Sequence, residues 1–167
     1  MKRFNVLFEF LIKDNFKNVS QVIFDILADN MTTIAPTGNT REEDFECWYN
    51  AVEDGLKQKE RQIILIKENQ KIIGFFQYYI KTGTFVMEEV QIKKEFQGSN
   101  VFRDLFGFII TNIGTSVEFV EAYANKVNTK SMAILEVMGL LPIGMNKNGN
   151  SYHYKGEFQE LVDWYKG

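Results

Sequence analysis

The sequence has one cysteine, one histidine and two prolines in 167 residues. A lone cysteine, Cys47, excludes an intrachain disulfide and fits a reducing cytosol, so a cytoplasmic location is expected. Cys47 lies beside Trp48 on a helical stretch and is expected as a packed thiol rather than a nucleophile. With so few Cys and His residues no metal-ligand spacing arises, and no metal site is expected. No nucleophile lies close in sequence to a base. His153 is expected as a strand histidine without a chemical role. No apolar run approaches the ~20 residues of a membrane span, so no membrane partner is expected. The start, Met1-Lys2-Arg3-Phe4, is basic and Val6 to Ile12 is apolar-rich, but Glu9 interrupts the run and no small-residue cleavage site follows. That pattern does not predict a signal peptide. Low-complexity linkers and internal repeats are missing too.

Charge of one sign is also scarce. Nineteen basic against 22 acidic residues leave a formal net charge of −3. A nucleic-acid binder would show a basic patch or stripe, so no nucleic-acid partner is expected. What the chain has in quantity is apolar mass: 45% hydrophobic residues, 14% aromatics and fifteen phenylalanines. That suffices for one sizeable core, and the length fits a single domain over residues 1–167.

Periodicity orders the elements. Residues 4–12 read as a strand. Ser20 is placed to N-cap a helix over 21–30, with Val22, Ile23, Ile26 and Leu27 on one face. Residues 35–39 form a loop. Thr40 and Glu43 make a capping box that starts a helix toward Lys59, with Phe45, Trp48, Val52 and Leu56 at helical spacing. Strands follow at 62–66, 72–80 and 85–92, joined by hairpin-short connections and hence antiparallel. An almost wholly apolar helix spans 101–113, a strand 117–123, and a helix runs from Asn128 or Thr129 to Gly139. Strands at 141–145 and 151–158 flank Asn148-Gly149, a hairpin signal. A short helix over 159–165 closes the chain. The order β-α-α-β-β-β-α-β-α-β-β predicts an α/β fold with a mixed, centrally antiparallel sheet flanked by helices.

The most informative stretch runs from Glu88 to Arg103: a strand, a short polar turn, then a helix. A strand feeding a helix N-terminus gathers backbone N–H groups, which bind phosphate without a cationic side chain. Here the sequence resembles the GCN5-related N-acetyltransferase (GNAT) superfamily. That family's acyl-CoA signature places Arg or Gln, two residues, Gly, one residue, then Gly or Ala after a central strand. The strand end is Val90-Gln91-Ile92 and the signature region opens at Gln97-Gly98. A second motif, an Asn heading a helix with a small residue three positions later, is matched by Asn128 and Ser131, with Gly139-Leu140 at the helix end. The similarity covers most of residues 18–158. Asn100 stands where the family usually has Gly, Phe102 where it has Gly or Ala, and Leu135 where many relatives carry a Tyr that protonates the departing thiolate.

The resemblance implies an N-acetyltransferase that moves an acetyl group from acetyl-CoA to a primary amine by direct attack in a ternary complex. It implies an oxyanion donor among the backbone N–H groups of Val90, Gln91 and Ile92. It gives pyrophosphate cradling to Gln97, Gly98, Ser99, Asn100, Val101, Phe102 and Arg103, against an ordinary turn capped by Ser99. Arg103 either pairs with phosphate or faces water. Asn128 is a partner for the pantetheine arm, a helix N-cap, or both. Glu88 and Glu89 are candidate general bases through water, and since neighbouring strand residues point to opposite faces, at most one faces the acceptor. Tyr123, Tyr152 and Tyr154 are unranked replacement acids. The loop at 31–41 would border the acceptor, a small-molecule or peptide amine. A homodimer through a late strand edge is left open by analogy. The alternative is a GNAT-fold module that binds acyl-CoA without turnover.

Overall fold

The computed structural model describes residues 2–113 and 116–167. The elements follow in the order β1 (Leu7–Phe10), α1 (Phe16–Met31), α2 (Arg41–Gly55), β2 (Arg61–Glu68), β3 (Lys71–Lys81), β4 (Thr84–Ile92), α3 (Val101–Asn112), β5 (Phe119–Asn125), α4 (Thr129–Val137), β6 (Leu141–Met145), β7 (Ser151–Glu157) and α5 (Phe158–Lys166). Short 3-10 turns precede α1, at Lys13–Asn15, and α3, at Lys94–Phe96. The strands form a mixed seven-stranded sheet in the order β1-β2-β3-β4-β5-β7-β6. The expected α/β architecture and element order hold.

Two-residue connections set the antiparallel centre. Asn69 and Gln70, between β2 and β3, sit at φ 51° and 67°. Thr82 and Gly83, between β3 and β4, sit at 51° and 76°. Two consecutive left-handed residues are the mark of the hairpin turn whose twist matches its strands. The parallel pair is β4 with β5, in register from Thr84↔Phe119 to Met87↔Ala122. β4 runs on to Ile92, five residues beyond the last of those pairs. Next, β7 pairs antiparallel with β5 along its whole length, and β6 is added outside it. This insertion follows from length: β6 and β7 are joined by a short turn, while α4 carries the chain from β5 past β7 to the sheet's edge.

The chain divides into two compact units, Met1–Gln77 with Glu89–Leu105, and Tyr78–Glu88 with Phe106–Gly167. In the first, Leu11, Phe16, Ile23, Val52, Leu56, Ile63, Leu65 and Phe75 form a buried cluster, with Trp48 and Tyr49 packed on it. The rings of α1 and α2 lock together: Phe24 meets Phe45 edge-on at 5.3 Å, and Phe16 stacks on Tyr49 at 5.2 Å. In the second, Tyr78 and Phe158 each meet Phe85 edge-on, at 5.3 and 6.1 Å, and Phe106 meets Trp164 at 5.7 Å. Helix α5 packs on β5 and β7.

Several boundaries differ from expectation for local reasons. α1 starts at Phe16, not after Ser20. Ser20 is buried inside the helix and its hydroxyl donates back to Lys17 O at 3.0 Å, as interior serines do. The 3-10 turn at Lys13–Asn15 leads into the helix instead, and Phe16 in the core fixes the first turn. The capping box is formed as expected: Glu43 N–H donates to Thr40 Oγ1 and Thr40 N–H to Glu43 Oε1. α2 nevertheless stops at Gly55, short of Lys59. Cys47 is exposed, which corrects the packed thiol. β1 is shorter than its apolar run, and β5 starts at Phe119 rather than 117. Helix α4 ends in a full left-handed cap. Gly139 at φ 97° lets its own N–H reach Glu136 O and the Leu140 N–H reach Leu135 O.

Among the described residues, no helix is long and apolar enough to cross a membrane.

Candidate active site

The chemistry-bearing residues of β4 alternate across the strand. Glu88 is exposed, while Glu89 is half-buried and Gln91 is buried two positions on, on the same face. Gln91 Nε2 donates to Glu89 Oε2 at 2.7 Å, and Gln91 Oε1 accepts from Asn30 Nδ2 at 3.0 Å. Asn30, in the last turn of α1, also donates to Ile92 O at 2.9 Å. A relay Asn30–Gln91–Glu89 therefore holds one carboxylate at a strand whose other acid, Glu88, faces the opposite way. Both amides are largely buried, at 9% and 8% exposure, so their satisfaction is what makes the relay tolerable. Sequence reading missed Asn30. Its signal was a polar residue continuing the inward stripe of Ile23 and Ile26.

The turn between β4 and α3 is tied down at its entry. Gln97 Nε2 donates to Ile92 O at 2.8 Å, so this carbonyl accepts from both Gln97 and Asn30. Ser99 Oγ donates to Phe96 O at 2.6 Å and accepts from Val101 N–H at 3.3 Å. Gln97 N–H donates to Lys94 O at 3.2 Å. Two of the expected cradle amides, those of Gln97 and Val101, are thus engaged inside the turn. Among the described residues, no acceptor partners the N–H groups of Gly98, Ser99 or Asn100. Gly98 has φ 69°, and a Cβ built there would meet nothing within 4 Å, so the turn is open on that side. Three consecutive amides at the head of a twelve-residue helix are chemically suited to an anion.

Asn100 differs most from expectation. It is 4% exposed, and its carboxamide pairs with the backbone of Phe4 as a neighbouring strand would. Phe4 N–H donates to Oδ1 at 2.7 Å, and Nδ2 donates to Phe4 O at 2.8 Å and to Asp104 Oδ2 at 2.6 Å. Its side chain ties two distant segments together; only its backbone N–H remains for a cradle. Val101 is fully buried, Phe102 half-buried and Arg103 exposed.

In the second unit, Asn128 caps α4, its Oδ1 accepting from Ser131 N–H at 3.1 Å. Leu135 is buried on the same helix. His153, expected without a role, pairs through Nε2 with Glu121 Oε1 at 2.5 Å, and Tyr123 stacks on its ring at 4.5 Å. The pair lies across the β5–β7 register and was invisible in a linear reading. Of the three candidate tyrosines, Tyr123 is 51% exposed, Tyr152 half-buried and Tyr154 2% exposed. Burial first, then the nearby Glu136 and Tyr152, hold the Tyr154 phenol above its ordinary ionisation range.

Two clefts are present in addition. One of about 270 Å³ is lined by Ile26, Asp29, Asn30, Lys93, Lys94 and Glu95. The other, about 380 Å³, lies between α4 and β7, with Glu136, Tyr152 and Tyr154 on its walls.

No known family model and no curated protein matches the sequence. Solved structures do match. An acetyltransferase from Thermus thermophilus shares 12% identity at a TM-score of 0.73, over 94% of this chain and 99% of that one. The PaiA N-acetyltransferase from Thermoplasma acidophilum, in complex with coenzyme A, shares 10% identity at 0.68, over 92% and 99%. The Campylobacter jejuni N-acetyltransferase PseH, in complex with acetyl coenzyme A, shares 17% identity at 0.61, over 90% and 99%. At such identities the likeness is one of fold. The chain has the fold of the GCN5-related N-acetyltransferases, as the resemblance implied.

Proposed function

We propose that the chain is an acetyl-CoA-dependent N-acetyltransferase acting on a primary amine. The observation that supports this most is the open turn at Gly98–Asn100, with its row of amides at the head of α3, in a fold shared with N-acetyltransferases solved with coenzyme A and acetyl coenzyme A. In this reading the amides of Gly98, Ser99 and Asn100 take the pyrophosphate, with Gln97 and Ser99 side chains bracing the turn. Val101 and Phe102 shape the start of the helix, and Arg103 adds an exposed cation. The Asn128 amide group, whose oxygen is engaged as a cap, offers its N–H donors to the pantetheine arm.

The amine nitrogen attacks the thioester carbonyl carbon, the C–S bond breaks, and coenzyme A leaves as a thiolate. A backbone N–H among Val90–Ile92 stabilises the developing oxyanion. An alkylammonium has an unperturbed pKa near ~10.4, so a base must take its proton before attack. Glu89 fits that role through a water better than Glu88, because the Asn30–Gln91 relay orients it. The thiolate needs less help. A thiol ionises near ~8.5, so it departs readily even without an acid at position 135.

A second reading, binding of acyl-CoA without turnover, is favoured by one observation: the buried Leu135. Titration calorimetry with acetyl-CoA and with free coenzyme A tests the donor site. A thiol-release assay over a panel of primary amines then separates the readings. Binding with turnover supports the transferase, binding without turnover on any amine the second reading, and no binding of either ligand overturns both.

A further inference from the structure

We propose that the N-terminal segment Lys2–Phe4 is part of the donor-phosphate site, held at the turn by Asn100 acting as a positioning residue. The inference rests on the donor reading above and adds residues that the fold and its signature do not assign. Phe4 is fixed at three points. Its N–H and its carbonyl both engage the Asn100 carboxamide, at 2.7 and 2.8 Å, and its ring meets Phe96 edge-on at 4.6 Å. Phe96 ends the 3-10 turn directly before Gln97. Two exposed cations, Lys2 and Arg3, precede this anchor. The Lys2 ammonium lies 5.1 Å from the centre of the Phe4 ring. Lys2 thus sits over the ring that packs on Phe96, the residue before Gln97.

Positive charge from this segment would add to that of Arg103. Phosphates at the turn would meet the Asp104 carboxylate, which Asn100 draws toward itself at 2.6 Å. An ammonium and a guanidinium on a tethered segment offset that repulsion without entering the turn. A side chain at position 100 thereby recruits cations from the other end of the unit, where a glycine would leave the segment untied.

The test is calorimetry on the full chain with coenzyme A as the probe, at low salt and at 0.5 M NaCl. The Lys2→Ala/Arg3→Ala double variant is expected to bind about three- to tenfold more weakly at low salt, with the gap closing at high salt. Asn100→Ala is expected to weaken binding in the parent chain and to add nothing in the double variant, because it acts through the same two cations. Far-ultraviolet dichroism at the assay temperature confirms that each variant is folded. If the parent binds and the double variant binds equally well, the inference is overturned while the donor reading stands. Additive losses would overturn the positioning role of Asn100. A parent chain that does not bind coenzyme A overturns the donor reading and this inference together.

Discussion

The two strand-to-helix junctions, β4 into α3 and β5 into α4, each place an asparagine at the head of the helix, and the two asparagines do different work. Asn128 turns its oxygen onto its own helix and closes the Ser131 N–H. Asn100 turns its whole carboxamide away, onto the backbone of a residue 96 positions earlier. The first is a local device that any good capping residue can supply. The second is a tertiary one that needs a donor and an acceptor at once. Residue type and position are the same; the partner within reach decides the role.

Aspartate substitution sharpens the contrast most. Asn100→Asp removes both donations and sets a carboxylate against Asp104, within the 2.6 Å the amide now spans. Chemical denaturation is expected to show a loss of about 2–4 kcal/mol at pH 7. Two facing carboxylates raise each other's pKa in the folded state, so the variant should regain stability as pH falls from 7 toward 4. Asn128→Asp keeps its acceptor at a helix N-terminus and is expected to be neutral or slightly stabilising. Equal losses at the two positions would break the comparison.

Alanine at the two sites comes next. Asn100→Ala should cost about 1–3 kcal/mol, since Phe4 loses both partners. Asn128→Ala should cost about 1 kcal/mol, as for an ordinary cap. At the other end of α4, Gly139→Ala should cost about 1 kcal/mol or more, through φ 97° and the Glu160 side chain 2.6 Å from the added methyl. The smallest effect is alkaline. Tyr154 holds its proton longer folded than unfolded, so its contribution is intact below pH ~10 and is lost as pH rises beyond that. Tyr154→Phe should flatten that alkaline decline in a denaturation series.

How much of this was legible follows the same line between local and distant. The hairpins, the capping box at Thr40 and the Gly139 cap are written in adjacent residues and were readable. Asn128 was readable as a cap for the same reason. The start of α1 was not, because a 3-10 turn and a core phenylalanine set it, with no capping side chain to announce it. Cys47 was misplaced because Trp48 suggested a buried face that passes beside it. The placing of β7 between β5 and β6, the Glu121–His153 pair and the Asn30 relay all depend on which strands meet. The departure at Asn100 was visible in the sequence; its explanation lay with Phe4, at the far end of the unit. At the candidate site, β4 and the turn were readable as a region, but which amides stay open and which acid is braced came only with three-dimensional contacts.

The outermost strand, β6, carries one last consequence. Leu141, Ile143 and Met145 are all more than half exposed along an edge where apolar side chains ordinarily invite fibrous growth. Yet Pro142 brings no N–H, and the register with β7 slips between Pro142 and Gly144. An incoming strand would find the rhythm of donors broken in the middle of a five-residue edge. The sheet therefore ends in a surface that is greasy but interrupted in its row of backbone donors.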